Sequence, residues 1–152
     1  DSGMLVMGHL GLTPQSSNAL GGFKAQGRTA ETAMAVVEDA RIIYEAGAFS
    51  ILIEAVPPEV TKIIRDELPI PIYSIGAGIH ADGQVMIVSD LVGHFQAFTP
   101  KFVKRYGNVA GEMTKSFESY IKEVKEGKFP GENHAYRMID GELPKLMDLL
   151  KK

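Results

Sequence analysis

The chain has 152 residues, 45% of them hydrophobic, and its 19 acidic and 16 basic side chains leave a net charge of -3. That is enough apolar material for the core of one ordinary domain, and charge spread without long runs excludes the basic footprint of a nucleic-acid binder or a membrane-surface protein. The absence of cysteine excludes disulfides, thiolate nucleophiles and cysteine-based zinc sites. No apolar stretch reaches the roughly 18 residues of a membrane span and no export pattern opens the chain, so a cytoplasmic protein is expected.

In chain order, Asp1-Ser2-Gly3 leads almost at once into Met4-Leu5-Val6-Met7, a strand-like run that reads as if an earlier helix had just ended. The run closes on Gly8-His9. The segment from Gly11 to Arg28, rich in Gly, Ser, Asn, Gln and Pro, is longer than most loops inside a domain, a length found in functional lids or in disordered segments. Thr29 offers an N-cap, and Ala33, Val36, Val37, Ala40, Ile43 and Tyr44 then recur at helical spacing until Gly47 supplies a stop.

Ala48 to Glu54 is apolar enough to read as a parallel strand buried on both faces, ending in one carboxylate. Pro57-Pro58 opens a helix that runs to about Leu68. Ile72 to Ile75 reads as a third strand, ending in Gly76-Ala77-Gly78, and Met86-Ile87-Val88 as a fourth, ending in Ser89-Asp90. Thr99-Pro100 is expected to cap a long helix with Val103, Tyr106, Ala110, Met113, Phe117, Tyr120 and Val124 on one stripe, stopping at Gly127. A polar connector from Lys128 to Tyr136 precedes a short helix over Leu143 to Leu150. Strands alternating with helices imply a parallel sheet with right-handed crossovers, either a small open sheet or half of a (β/α)8 barrel. Both put their sites at the carboxyl ends of the strands, where His9, Glu54, Gly76 and Asp90 are all expected to lie.

Gly8-His9-Leu10-Gly11-Leu12-Thr13-Pro14-Gln15 closely resembles a loop motif of the ketopantoate hydroxymethyltransferase family. The likeness continues through Gly21-Gly22-Phe23-Lys24-Ala25-Gln26-Gly27-Arg28, Glu54-Ala55-Val56-Pro57, Ile75-Gly76-Ala77-Gly78, Asp82-Gly83-Gln84, Pro100-Lys101-Phe102 and Phe129-Pro130-Gly131-Glu132. The resemblance implies α/β architecture: strands five to eight of a (β/α)8 barrel plus C-terminal helices. Residues 1–98 would form the half-barrel and 99–152 a helical extension of the same partial domain. It also implies transfer of a hydroxymethyl group from 5,10-methylenetetrahydrofolate to 3-methyl-2-oxobutanoate, giving 2-dehydropantoate.

Residue by residue, Glu54 matches the family's catalytic base and His9 a histidine beside the bound oxo acid. The Mg2+ ligands of the family belong to the first half of the barrel, so no metal ligand is assigned in this sequence. The implied partners are the oxo acid, the folate, and either that N-terminal half or a second copy of this chain, within a decamer for the complete enzyme. A catalytically inactive half-barrel or assembly module is the competing reading. A Mg2+-dependent enzyme of the related phosphoenolpyruvate and isocitrate lyase superfamily is disfavoured by the Gly8 to Gln15 string.

Other chemistry-bearing residues have plainer readings. His80, His94 and His134 lack metal-site spacing and read as structural or surface residues. Gly76-Ala77-Gly78 reads as a tight turn with close backbone packing rather than a phosphate loop, and the family likeness implies a place near the active-site mouth, facing the pterin. Asp82 and Asp90 are expected to support or cap neighbouring groups. Ser74 stands where relatives carry glycine.

Overall fold

The computed structural model describes residues 3–16, 18 and 22–151. The Asp1-Ser2 start and part of the Gly11 to Arg28 segment, Ser17 and Ala19 to Gly21, lie outside the described residues. The chain divides into two compact units, residues 1–108 and 109–152.

The first unit is built on a four-stranded parallel sheet: β1 (Met7–Gly11), β2 (Ser50–Glu54), β3 (Ile72–Ile75) and β4 (Gly83–Gln84), adjacent in that order. Helix α1 (Ala30–Glu45) connects β1 to β2, and α2 (Pro58–Glu67) connects β2 to β3. Thr29 caps α1 as expected. Its hydroxyl accepts the Thr32 N–H at 3.2 Å, while the Thr32 hydroxyl accepts the Thr29 N–H at 2.9 Å. Gly47 ends the helix in the left-handed region at φ 93°. Pro58 occupies the first turn of α2, where its missing N–H costs no helical bond.

Both helices pack on one sheet face. Leu10, Ile51, Ile53 and Ile72 point that way and form the core with Val36, Val37, Ala40, Val60 and Ile64 of the helices. The expectation that β2 is buried on both faces is corrected: Leu52 and Glu54 alternate with the fully buried Ile51 and Ile53 and are only part-buried. The helices cover one side of the sheet, and the period-2 alternation of the strand turns these two side chains to the other.

The apolar run at the start of the chain is not the first strand. Met4, Leu5 and Val6 are exposed, and the ladder instead joins Met7 to Ser50 and Gly11 to Glu54, which puts His9 inside β1, level with Leu52. Pairing with β2 sets the register, and Gly8 is what lets β1 approach α1: a Cβ there would stand 2.4 Å from Ile43 Cγ2.

Nor is Met86 to Val88 the fourth strand. The N–H groups of Asp82 and Val85 bond to the carbonyls of Ile72 and Ser74, so 82–85 take up the free edge of the four-residue β3. The next residues turn into the short helix α3 (Val88–Leu91), in which Asp90 lies. A three-residue apolar run does not by itself distinguish strand from helix, and the edge pairing decides it.

The second unit contains α4 (Val109–Lys125) and α5 (Glu142–Leu149), with a single 3-10 turn at Glu132–His134 between them. The long helix therefore begins ten residues after its expected cap at Thr99, leaving Val103 and Tyr106 off the helical stripe. The N–H of Tyr106 is taken by the Leu91 carbonyl, and Gly107 disfavours helical continuation. Gly127, at φ 68°, follows the helix as expected, and α5 matches the expected C-terminal helix to within a residue. None of the described residues of this unit is buried.

Candidate active site

The ladder aligns the carboxyl ends of three strands. Gly11 is level with Glu54, and Glu54 with Ile75. Glu54 leaves the sheet on the face opposite α1 and α2, and His9, two residues before Gly11, lies on the same face. The two side chains meet: His9 Nε2 is 3.1 Å from Glu54 Oε2, with 31% and 13% of the respective side chains exposed. An ionised carboxylate only accepts hydrogen bonds, so Nε2 carries the hydrogen whenever Glu54 is charged. Among the described residues no hydrogen bond reaches Oε1.

The backbone beneath Glu54 is held on three sides. Its carbonyl accepts the Leu12 N–H at 2.9 Å; the Ala55 N–H donates to the Ile75 carbonyl at 3.0 Å; the Ala55 carbonyl accepts the Gln26 N–H at 3.0 Å. Ala55 has φ 51°, a left-handed conformation that costs a residue with a Cβ about 1–2 kcal/mol. Such strain persists only where the surroundings over-determine it, and here β1, β3 and the Gln26 segment all bind the same two peptide units. Gly11, at φ 84°, meets the constraint from the other side: a Cβ on it would lie 2.2 Å from the Glu54 carbonyl oxygen.

Glu54 opens onto a cavity of about 540 Å3 whose wall includes Phe23, Phe98, Phe102 and Ile75, with Asp90 and the lysines Lys24 and Lys101. The dimensions suit a small organic ligand, and the lining is mostly apolar with a few ionisable groups. A larger cavity of about 800 Å3, between Gly78, Val85, Leu91 and Tyr106, has no acid or base apart from the Tyr106 phenol. Chemistry rather than size selects the first.

The Gly76-Ala77-Gly78 turn bounds this region by close packing. Cβ atoms on Gly76 and Gly78 would stand 2.5 Å from the Phe102 ring and from Pro58 Cβ. Ser74 contributes more than the sequence suggested: its fully buried hydroxyl accepts the Ala77 N–H at 3.0 Å and pins the turn. Only the fold, which brings residue 74 under residue 77, shows this. Asp82 does cap, its carboxylate accepting the Ile72 N–H at 2.9 Å and the Arg65 Nε–H at 3.1 Å. The Ile72 N–H, seconded by the Arg65 guanidinium, holds that carboxyl below its usual range. Among the described residues Asp90 has no such partners. His80 and His94 are exposed, and His134 Nδ1 accepts the Gly131 N–H at 3.3 Å.

Among the described residues, no group of three or more His, Asp or Glu side chains converges as a metal site. Mg2+ takes an octahedron of oxygens, whereas the described cavity lining supplies two carboxylates, Glu54 and Asp90, the first already engaged by an imidazole. These residues alone do not fit a Mg2+ centre. No helix among the described residues is long and apolar enough to cross a membrane.

Comparison with known proteins gives one result throughout. The profile of the family described as ketopantoate hydroxymethyltransferase matches residues 1–132. A 3-methyl-2-oxobutanoate hydroxymethyltransferase of Alkaliphilus metalliredigens is 59% identical over 140 residues, covering 92% of this chain and 49% of that protein. Proteins of the same name from Clostridioides difficile and Clostridium botulinum (strain Alaska E43) are 50% and 49% identical, covering 93% and 96% of this chain and 51% and 53% of their own lengths. The chain thus spans about half the length of the curated relatives it matches.

Proposed function

The chain belongs to the ketopantoate hydroxymethyltransferase family, and from that membership we propose that it supplies strands five to eight of a (β/α)8 barrel enzyme, with Glu54 as its catalytic base. The reaction is hydroxymethyl transfer from 5,10-methylenetetrahydrofolate to 3-methyl-2-oxobutanoate. The observation that carries the reading is the Glu54 carboxylate, held by His9 at 3.1 Å at the strand ends and opening onto the 540 Å3 cavity.

Glu54 breaks the C3–H bond of the oxo acid and takes the proton, leaving the electron pair in an enolate. C3 then forms a bond to the one-carbon unit, whose two C–N bonds to the folate break: water gives its OH to that carbon and its hydrogen to one nitrogen, and the proton taken by Glu54 goes to the other. With one water consumed, the products are 2-dehydropantoate and tetrahydrofolate. Through its hydrogen bond His9 fixes the direction in which the carboxylate presents Oε1, and it lies beside the oxo acid as an orienting group rather than a proton carrier. Leu12, Pro14 and Phe23 to Ala25 line the cavity and would wall the site against water that would quench the enolate. Mg2+, bound through carboxylates outside this chain, would act as a Lewis acid for the oxo acid.

The partner in this reading is the N-terminal half of the barrel. Relatives are about twice as long as this chain, and the described sheet has β1 and β4 as its edge strands. Edges of this kind are stabilised by closure. In the complete enzyme, a decamer, the exposed stripe of Met113, Phe117, Tyr120 and Val124 on α4 would pack against neighbours.

The test is solvent-deuterium exchange at C3 of 3-methyl-2-oxobutanoate by the full-length protein that carries this segment. Glu54→Gln is expected to slow exchange by about 100-fold or more while the oxo acid still binds. Exchange at the wild-type rate would remove Glu54 from the mechanism.

A further inference from the structure

We propose that Asp90 recognises the co-substrate, its carboxylate pairing with the ring N–H and the adjacent exocyclic amine of a 2-amino-4-oxopteridine. This rests on the folate reading above and goes beyond it by naming the residue that would select the ring.

Asp90 is 9% exposed and lines the same cavity as Glu54. Among the described residues no hydrogen bond or ion pair reaches its carboxylate, although Lys24 and Lys101 line the same space. The contrast with Asp82, which satisfies two donors while far more exposed, is direct. Among the described residues the fully buried side-chain atoms without a partner are Ser50 Oγ and Arg105 Nε, so the Asp90 oxygens reach the cavity space, where a ligand bearing donors can meet them.

The surroundings narrow what that something is. Phe23, Phe98 and Phe102 supply aromatic surface to the cavity wall, which favours a flat ring system. A carboxylate offers two oxygens side by side and is best matched by two parallel N–H donors. The oxo acid does not qualify, being an anion with no N–H group. A 2-amino-4-oxopteridine does, because N3–H and the 2-amino group lie on one edge and point the same way. Asp90 would therefore hold the folate ring in the cavity onto which Glu54 opens, and the two carboxylates would divide the work: one takes a proton, the other fixes the one-carbon donor.

The experiment is calorimetric titration of the full-length protein and its Asp90→Asn variant with two probes, tetrahydrofolate and its 2-desamino analogue. Asparagine keeps the size of the side chain and loses the charge and one acceptor. The wild type is expected to bind tetrahydrofolate about 10- to 100-fold more tightly than the analogue, and Asp90→Asn to bind the two alike. A variant that still discriminates as the wild type does overturns the proposal. So does one that loses both ligands in equal measure, since that is the signature of a structural carboxylate. A wild type that exchanges the C3 proton but binds no tetrahydrofolate would overturn the folate reading itself, and the assignment with it.

Discussion

Gly11→Ala tests whether the backbone beneath Glu54 is as tightly set as the geometry indicates. At φ 84° an alanine takes up a left-handed conformation costing about 1–2 kcal/mol. Its Cβ would also stand 2.2 Å from the Glu54 carbonyl oxygen and 2.6 Å from Val56 Cγ2. The oxygen is backbone and cannot rotate away, so β1 and β2 must part locally, at the expense of the 2.9 Å Leu12 to Glu54 hydrogen bond, about 1 kcal/mol. Stiffening the unfolded chain returns about 0.4–1 kcal/mol. The net expectation is a loss of roughly 1–3 kcal/mol, read from urea denaturation of the full-length protein with an unchanged m-value. A displacement near 1 Å in a catalytic group costs about 100-fold in rate, so C3 exchange should fall by about 10- to 100-fold under conditions where the variant is still folded. A variant within about 0.5 kcal/mol of wild type that exchanges at the normal rate would show that Gly11 is a convenience of the loop and places no limit on Glu54.

Two further outcomes follow from the core and its margin. Ile53→Ala, at a fully buried position, should cost about 2–5 kcal/mol, whereas Ile63→Ala, at an exposed site on α2, should change stability by less than about 0.5 kcal/mol; similar losses from the two would mean that the sheet face covered by helices is not the core. Asp82→Asn should flatten the acid dependence of stability. Because the Ile72 N–H and then Arg65 lower its carboxyl in the folded state, the stabilisation is fully present above the unfolded value of about 3.9 and is lost as pH falls through the lower folded value. The gap in urea midpoint between wild type and variant should therefore narrow between pH 6 and pH 3, and a constant gap would place the role of Asp82 elsewhere.

The features legible in the sequence are those whose signals are local and mutually consistent. Helix α1 has its cap at Thr29, an apolar stripe and a stop at Gly47, and these agree because each depends only on residues within a turn or two. The start of α2 follows in the same way from a proline that suits a helix's first turn, and β2 and β3 from apolar runs bounded by glycine and proline. Register and sheet edges are different, because a strand exists where a neighbour offers hydrogen bonds. Met4 to Val6 has strand-like composition but is exposed and joined to the β2 side only by the Phe49 N–H on the Val6 carbonyl at 3.0 Å, while Met7 to Gly11, with two glycines and a histidine, is a strand because β2 runs alongside. Met86 to Val88 loses its place to 82–85 for the same reason.

The site divides along this line. That His9 and Glu54 would share a sheet edge was readable from their positions near the ends of successive strand-like runs. Their hydrogen bond follows from the observed register: it sets His9 two residues before the level of Glu54, on the same face, so an imidazole leaning along the strand reaches the carboxylate. Asp90 could not be distinguished from Asp82 by sequence, since both are single acids in loop-like surroundings. Partners separate them. Arg65 comes from α2 and the Ile72 N–H from β3, both positioned by the fold to satisfy Asp82, and neither element offers anything comparable to Asp90. An acid whose oxygens the fold has engaged is explained by stability, whereas one that lines a cavity with an oxygen unengaged is open to a ligand. Among the described residues Glu54, through Oε1, and Asp90 are the carboxylates that line the cavity, and their titrations with tetrahydrofolate and with the oxo acid should separate the two roles.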